Sequence, residues 1–142
     1  MTKSSKFEIL GKYIKDLSSE TPNVETYLFV RDYISSYQLG IDITSKALKD
    51  QVIEVNTTLK FEDKKNNKKK SYFEIVYASV IKIDQEIKEK KIIENIILVE
   101  LQKVIFKNIE KAFLNLIHDS GYTNVKWEKK PDFEKLYKER QD

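Results

Sequence analysis

The amino-acid sequence predicts an α+β fold: a four-stranded antiparallel sheet with a long helix and a short C-terminal helix packed on one face. Residues from about 6 to 84 alternate apolar and polar side chains with a period of two, which is typical of half-buried strands. Residues from about 92 to 140 repeat apolar side chains every three or four positions, which is typical of amphipathic helices. Because strands precede helices, residues 1–142 are expected to form a single α+β domain.

Four segments carry the strand pattern. It is clear in residues 37–44, where odd positions are apolar. In residues 51–61 the apolar set shares one parity with Thr57, and polar side chains take the other from Glu54 to Lys60: Ile53, Val55, Leu59 and Phe61 against Glu54, Asn56, Thr58 and Lys60. Residues 71–84 repeat it, while residues 6–20 place apolar side chains on both parities. A single sheet with one helical layer leaves strand edges and one face to be covered, and oligomerisation is a common solution.

Two connections separate the strands. Residues 62–70 contain only Glu, Asp, Asn and Lys, so they cannot fill a core, and Asn and Asp tolerate turn conformations. This segment predicts a hairpin loop between the third and fourth strands. Thr21-Pro22-Asn23 ends the first strand and begins a long crossover to the second.

The second half predicts two helices. The long helix carries a wide apolar stripe whose members are three or four positions apart: Leu101, Ile105, Ile109, Phe113 and Leu116. Gly121 is well placed to stop this helix. A short helix is expected to begin near Pro131-Asp132, since proline suits the first helical turn.

Composition argues against most enzyme classes, so we expect no enzymatic activity. The 142 residues include no cysteine, which excludes disulfides and thiolate catalysis and is compatible with a reducing cytoplasm. His118 is the sole histidine, and three scattered glycines cannot form a phosphate-binding loop. The segment 1–10 lacks the apolar core of a secretory signal, and residues 92–106 carry too many polar groups to cross a membrane. The formal net charge is +3.

One segment resembles a known family. Residues 13–23, YIKDLSSETPN, resemble the first-strand signature of the SecB protein-export chaperones, Tyr-x-Lys-Asp-(Leu/Ile)-Ser-x-Glu-x-Pro-Asn. Residues 41–43, 52–61, 73–75 and 133–137 are similar to later segments of that family, so the resemblance covers roughly residues 7–140. The family is typically acidic, whereas this chain is mildly basic.

The resemblance implies an ATP-independent holdase of the bacterial cytoplasm. It implies that the chain binds unfolded precursor proteins, passes them to the motor ATPase SecA, and reaches the membrane only indirectly through the translocase. It also implies a homotetramer built as a dimer of dimers, with no cofactor and no nucleic-acid partner. The positions that match the family's SecA-binding acids are Asp16, Glu20 and Glu74.

Client binding requires exposed apolar side chains, and aromatic rings provide large apolar area at low entropic cost. We expect the groove to be lined by aromatic and aliphatic residues of the crossover and the C-terminal region: Tyr27, Phe29, Tyr33, Trp127, Leu136 and Tyr137. The competing interpretation is that these are ordinary core residues. Exposure is favoured for Tyr27 and Tyr33, whereas both interpretations stay open for Leu136.

Two other functions remain open. A SecB-like chaperone can serve a toxin–antitoxin system, stabilising an antitoxin in place of exported precursors. A nucleic-acid-binding module is a third hypothesis, supported only by the lysine-rich segment Lys64 to Lys70. That segment is more simply interpreted as a solubilising hairpin tip, since regular aromatic interleaving is absent.

Overall fold

The alternating pattern of residues 6–84 forms four long strands. The computed structural model describes residues 6–65 and 68–141, so Met1–Ser5, Asp142 and two residues of the predicted hairpin loop, Asn66 and Asn67, lie outside the described residues. The antiparallel sheet has the strand order β1-β4-β3-β2. The strands are β1 (Phe7–Glu20), β2 (Tyr37–Ala47), β3 (Val52–Asp63) and β4 (Tyr72–Ile83).

Burial in β3 and β4 confirms the predicted parity. Val55 and Leu59 of β3 and Ile75 and Ile81 of β4 are buried, while Lys60 points away from them and is exposed. Because successive side chains of a strand alternate between faces, the buried set defines a core face. The opposite side of the sheet is called the outer face below.

The mixed parity of β1 has a structural cause. Its register with β4 shifts between Ile9 and Gly11 and again between Ile14 and Asp16. Each shift is a β-bulge, which inserts one extra residue and reverses the side-chain parity. After the second bulge, Asp16 lies opposite Val76 on the outer face, and Leu17 lies opposite Ile75 on the core face.

The crossover between β1 and β2 contains a helix that the sequence analysis did not predict. Helix α1 (Val24–Tyr33) begins at Asn23, whose side chain accepts a hydrogen bond of 2.8 Å from the Thr26 N–H. Asparagine is a favoured N-cap because its side-chain oxygen satisfies a free N–H of the first turn. Within the helix only Thr26 and Val30 are buried, so its buried stripe is narrow and difficult to recognise.

The predicted long helix is interrupted near its start. It comprises α2 (Lys90–Asn95), a π-helical segment (Ile96–Glu100) called the π turn below, and α3 (Leu101–Asp119). The short C-terminal helix α4 (Phe133–Gln141) begins after Asp132, whose carboxylate accepts a hydrogen bond from the Lys135 N–H. Both predicted helices are therefore confirmed.

The end of α3 confirms the predicted role of Gly121. The Gly121 N–H donates to the His118 carbonyl at 3.0 Å, and the Tyr122 N–H donates to the Ile117 carbonyl at 3.2 Å. This pair of bonds defines a Schellman motif, which requires a left-handed residue. Gly121 has a φ of 106°, which side chains other than glycine rarely adopt.

The helical layer covers the core face of the sheet. Helix α3 contacts β4 and β1. Fully buried side chains from both layers form the core, among them Leu59, Phe73, Ile75, Ile105, Ile109, Phe113 and Ile117. Across residues 6–65 and 68–141, no helix has the length and apolar character needed to cross a membrane.

Candidate functional site

Helix α1 exposes an aromatic pair. Tyr33 is 54% exposed, and the centroid of its ring lies 4.7 Å from that of the half-buried Phe29. An (i, i+4) spacing places both rings on the same side of the helix. The structure thus brings together two of the predicted client-binding residues at the surface.

Tyr27 of the same helix is fastened to the end of α3. Its hydroxyl donates a 3.0 Å hydrogen bond to the Gly121 carbonyl, and its ring centroid lies 5.3 Å from that of Tyr122. The side chain is half-buried. Tyr27 therefore joins α1 to α3, and only part of its ring remains accessible to a ligand.

A second apolar surface lies between β2, the π turn and α4. A cavity of 170 Å³ is lined mainly by apolar side chains from these three elements: Ile41, Ile43, Leu98, Phe133, Leu136, Tyr137 and Arg140. Leu136 is 43% exposed. The Tyr137 hydroxyl donates to the Lys91 carbonyl at 3.4 Å, which fastens α4 to α2. Two more predicted residues, Leu136 and Tyr137, thus lie together.

This cavity continues toward α2. A neighbouring cavity of 420 Å³ shares Ile43, Leu98 and Arg140 with it and extends to Lys90 and Glu94. We call the two connected cavities the β2 groove. Strand β2 is an edge strand, so the groove runs beside backbone groups that no strand of this chain pairs in the order β1-β4-β3-β2.

Trp127 packs against the core. Its ring centroid lies 5.6 Å from that of Phe61 and 5.8 Å from that of Phe113. The indole N–H is buried and finds no hydrogen-bond partner within the described part of the chain. Trp127 is half-buried, and its contacts differ from those of the α1 pair and of the β2 groove.

The three predicted SecA-binding acids lie on the outer face. In the register of β1 with β4, Asp16 lies opposite Val76, Ser18 opposite Glu74, and Glu20 opposite Tyr72. Side chains two residues apart on a strand share a face, so the carboxylates of Asp16, Glu20 and Glu74 point to the same side.

Two residues that the sequence analysis missed complete this acidic surface. Burial, the hydrogen bond with Glu74, and the charges of Glu74, Glu62 and Asp16 together raise the pKa of Tyr72 to about 12. Three carboxylates therefore act on one phenol. The sequence places Glu62 and Tyr72 at the positions of their strands that face away from the core. Only the register of β3 with β4 shows that these two side chains are neighbours.

A lysine and a serine contact two of the carboxylates of this acidic surface. The Lys60 ammonium lies 3.6 Å from the Glu74 carboxylate, and the Ser18 hydroxyl donates a 2.6 Å hydrogen bond to Asp16. A cavity of 400 Å³ on this face is bordered by Lys60, Glu62 and Glu74. Because the Lys60 side chain is exposed to solvent, its ion pair with Glu74 contributes little stability. A cationic group of a partner can therefore take the place of Lys60 beside Glu74.

A separate polar cluster lies near the middle of the outer face. Glu54 accepts hydrogen bonds from the Asn56 amide and the Tyr13 hydroxyl, and its carboxylate lies 3.6 Å from the Lys15 ammonium. The Asn56 hydrogen bond, followed by the charge of Lys15, lowers the pKa of Glu54. Lys15 occupies the second bulge of β1, which turns its side chain toward Glu54.

Other polar residues have structural contacts. The His118 Nε2 atom lies 2.7 Å from the Val125 carbonyl oxygen, so the imidazole joins the end of α3 to the following loop. Across the described ranges, no group of three or more His, Cys, Asp or Glu side chains could hold a metal ion. Lys64 lies 3.9 Å from Glu62, and the Lys65 N–H donates to Asp63 at the start of the lysine-rich segment.

Exposed apolar surfaces beside an unpaired strand edge are typical of proteins that bind other polypeptides. The model of a family described as preprotein translocase subunit SecB matches residues 1–142. The chain therefore belongs to the SecB family and is a SecB-type chaperone of protein export.

Individual relatives agree with this assignment. A Pelagibacter ubique (strain HTCC1062) protein provisionally named protein-export protein SecB is 52% identical over 134 residues, which are 94% of this chain and 96% of that one. Protein-export protein SecB of Rhodopseudomonas palustris (strain BisB18) is 28% identical over 136 residues, covering 94% and 80% of the two chains.

A solved structure shares the fold. It is a Mycobacterium tuberculosis SecB-like chaperone in complex with a ChAD peptide from the HigA1 antitoxin. The TM-score is 0.64 at 9% sequence identity, and the match covers 89% of this chain and 91% of the other. At this identity the likeness shows the fold of the chain.

Proposed function

We propose that this chain holds unfolded precursor proteins without ATP in the bacterial cytoplasm and delivers them to the SecA motor ATPase as part of a homotetramer. The observation that carries the proposal is the β2 groove, a channel open to solvent beside an unpaired strand edge, whose cavity between β2, the π turn and α4 is mainly apolar. An extended client can place apolar side chains in the groove while its backbone forms hydrogen bonds with the free edge of β2.

The aromatic pair of α1 supports a second contact for the same client. Phe29 and Tyr33 form a small apolar patch, which by itself provides weak affinity. A client that contacts several weak sites gains avidity, because each later contact is intramolecular. Binding of this kind depends little on client sequence, as general holding of unfolded chains requires.

The test compares three single alanine variants of similar exposed leucine or aromatic side chains. Leu136→Ala and Tyr33→Ala remove predicted client contacts, whereas Leu48→Ala removes a leucine that is 48% exposed in the turn before β3. Reduced and carboxymethylated α-lactalbumin, which stays unfolded, serves as the client. We expect the first two variants to bind it more weakly and Leu48→Ala to match the wild type, with circular dichroism confirming that each is folded.

Assembly into a tetramer is supported by β1. In the sheet order this strand lies at the edge, and it exposes Leu10, Ile14 and Leu17. Val104, on α3, is also exposed. An unpaired edge with apolar side chains is a template for pairing with a second copy. Ile14→Asp is expected to reduce the particle mass in sedimentation; a wild-type chain that sediments as a monomer would contradict the assembly.

The outer acidic surface supports docking of a cationic partner segment. Asp16, Glu20 and Glu74 point to one side, and Glu62 adds a fourth carboxylate nearby. Clustered carboxylates accelerate the encounter with a basic peptide and make it dependent on salt. This surface lies on the opposite side of the sheet from the core face, so a client and SecA can be bound at the same time.

The antitoxin hypothesis has weaker support. The structure solved with an antitoxin peptide shares 9% identity with this chain, whereas the relatives with protein-export names described above share 52% and 28%. Export of precursors is therefore the preferred function. Selective binding of an antitoxin over the unfolded lactalbumin would reverse that preference.

A further inference from the structure

A chain of buried hydrogen bonds connects the sheet to the π turn. Gln102, at the start of α3, and Thr57, in the middle of β3, are both fully buried. The Thr57 hydroxyl donates to the Gln102 side-chain oxygen at 3.1 Å, and the Gln102 amide donates to the Ile97 carbonyl at 3.2 Å. A single glutamine thus joins β3 to the backbone of the π turn.

The π turn displaces the helical pairing by one residue. The Leu101 N–H donates to the Ile96 carbonyl, five positions earlier instead of four. Such single-turn insertions are uncommon and often occur at functional sites, because the inserted residue disturbs the regular ladder. The next carbonyl in sequence, that of Ile97, accepts a hydrogen bond from the side-chain amide of Gln102, so this side chain supports the backbone at the point where the helical pairing changes.

Structure alone does not require this pair. Two apolar side chains of the same shape would fill the same space, and replacing both partners of a buried hydrogen bond by such groups is nearly neutral or stabilising. The buried Thr57–Gln102 contact therefore adds little stability over an apolar pair of the same shape, and what distinguishes it is the hydrogen bond that it directs to the π turn.

The π turn forms one wall of the β2 groove. Leu98, in the π turn, lines both cavities of the groove, and Ile97 lines the larger one. If the π turn changed to α-helical pairing, the helix would no longer accommodate the extra residue. The side chains before it would then rotate by about 100° around the helix axis, which is the rotation of one α-helical residue. Leu98 would then leave the place in which it lines both cavities together with Ile43.

We propose that Gln102, oriented by Thr57, is a positioning residue that holds the π turn so that Leu98 forms the wall of the client groove. This inference rests on the proposed function, since it assigns a determinant of the same groove. Gln102 is buried, so it acts on the client through Leu98 and not by contact.

The test uses the full-length protein with the unfolded lactalbumin probe. Gln102→Met keeps the size of the side chain and removes the amide, and Thr57→Val removes only the donor that orients it. Ser79→Ala is the matched control, because Ser79 is fully buried in β4 and its hydroxyl has no partner among the described residues. We expect Gln102→Met to bind about five- to tenfold more weakly, the effect of losing roughly half of the contact that a fully buried leucine makes. Thr57→Val should be intermediate, and Ser79→Ala should match the wild type.

Two further readouts separate positioning from a general structural effect. Nuclear Overhauser contacts between the methyl groups of Leu98 and the ring of Tyr137 should be present in the wild type and lost in Gln102→Met. Addition of Leu136→Ala to Gln102→Met should weaken binding less than it does in the wild type, because both changes damage one groove.

Each outcome decides the proposal. A folded Gln102→Met protein that binds within twofold of the wild type overturns it, as does an equal loss in Ser79→Ala. If Gln102→Met does not fold, Thr57→Val decides in the same way. If Leu136→Ala weakens binding while Gln102→Met and Thr57→Val do not, only the positioning role fails; a wild-type protein that binds no client removes the proposed function with it.

Discussion

Replacement of Gly121 by alanine tests the junction between α1 and α3. A Cβ atom at this position would lie 2.6 Å from the Cε1 atom of the Tyr27 ring and 3.1 Å from its hydroxyl oxygen. In addition, the φ of 106° is a conformation that alanine adopts only with strain. Gly121→Ala must therefore either move the Tyr27 ring or distort the Schellman motif that ends α3.

The size of the effect follows from the contacts that are lost. Strained backbone of this kind costs on the order of 1–3 kcal/mol. Displacement of the ring breaks the hydrogen bond from Tyr27 to the Gly121 carbonyl, which contributes about 0.5–1.5 kcal/mol. The ring contact with Tyr122 is also weakened. We expect the free energy of unfolding to fall by roughly 1.5–4.5 kcal/mol, the combined range of these two contributions.

The assay is urea unfolding followed by circular dichroism at one fixed protein concentration, because assembly would make the transition dependent on concentration. Gly11→Ala is the control: a Cβ at Gly11 meets no atom within 4 Å, and its φ is not in the left-handed region. A loss in Gly121→Ala no larger than in Gly11→Ala would show that neither the Tyr27 ring nor the backbone conformation excludes a side chain at position 121. Tyr27→Ala removes the obstructing ring, so the two changes together should destabilise less than the sum of the single effects.

Three further predictions concern the outer face and the lysine-rich segment. Glu74→Gln should lower the pKa of Tyr72 from about 12 toward its usual 10, measured by ultraviolet absorbance of the phenolate. Because the folded state retains this proton while the unfolded state releases it above pH 10, the raised pKa predicts that stability falls between pH 10 and pH 12. Reversal of both charges in Asp16→Lys with Glu20→Lys should abolish binding of a basic SecA tail peptide, measured by isothermal titration calorimetry; wild-type affinity in the double variant would remove Asp16 and Glu20 from the site. Neutralisation of the lysines in residues 64–70 should leave client holding unchanged in an aggregation assay, whereas a loss would assign that segment a binding role.

The strands, and the side chains of β3 and β4 that face the core, were predictable because they depend on the local alternation of apolar and polar residues. In β3 and β4 the period of two reports directly which side chains face the core, and Leu59 and Ile75 are buried as expected. The helix stop at Gly121 was predictable for the same reason, since a glycine after an apolar stripe is a local signal.

The bulges of β1 and helix α1 were harder to predict from pattern. Each bulge inserts one residue and reverses the parity, so a simple alternation assigns Ile14 and Leu17 to different faces, whereas both lie opposite core-face residues of β4. Helix α1 buries only Thr26 and Val30, and the capping residue Asn23 was interpreted as part of a strand end and crossover. Asn23, an N-cap residue type followed by thirteen residues without glycine or proline before β2, is the signal that could have identified the helix.

The candidate client site depends on contacts between distant segments. Of the predicted groove residues, Phe29 and Tyr33 meet on α1 and Leu136 and Tyr137 meet beside β2, while Trp127 packs against the core. Leu98 was not predicted to belong to the groove. Its sequence neighbours indicate a buried helix, and only the π turn shows that its side chain lines a cavity.

The order and spacing of neighbouring residues were enough to predict the fold class, the buried faces of β3 and β4, and the shared strand parity of Asp16 and Glu20. The tertiary structure alone decided that β2, the π turn and α4 enclose one groove, and that Glu62 and Tyr72 join the acidic surface. The physical reason is that register, bulges and helix packing bring together residues far apart in the chain, and local periodicity carries no information about such distances.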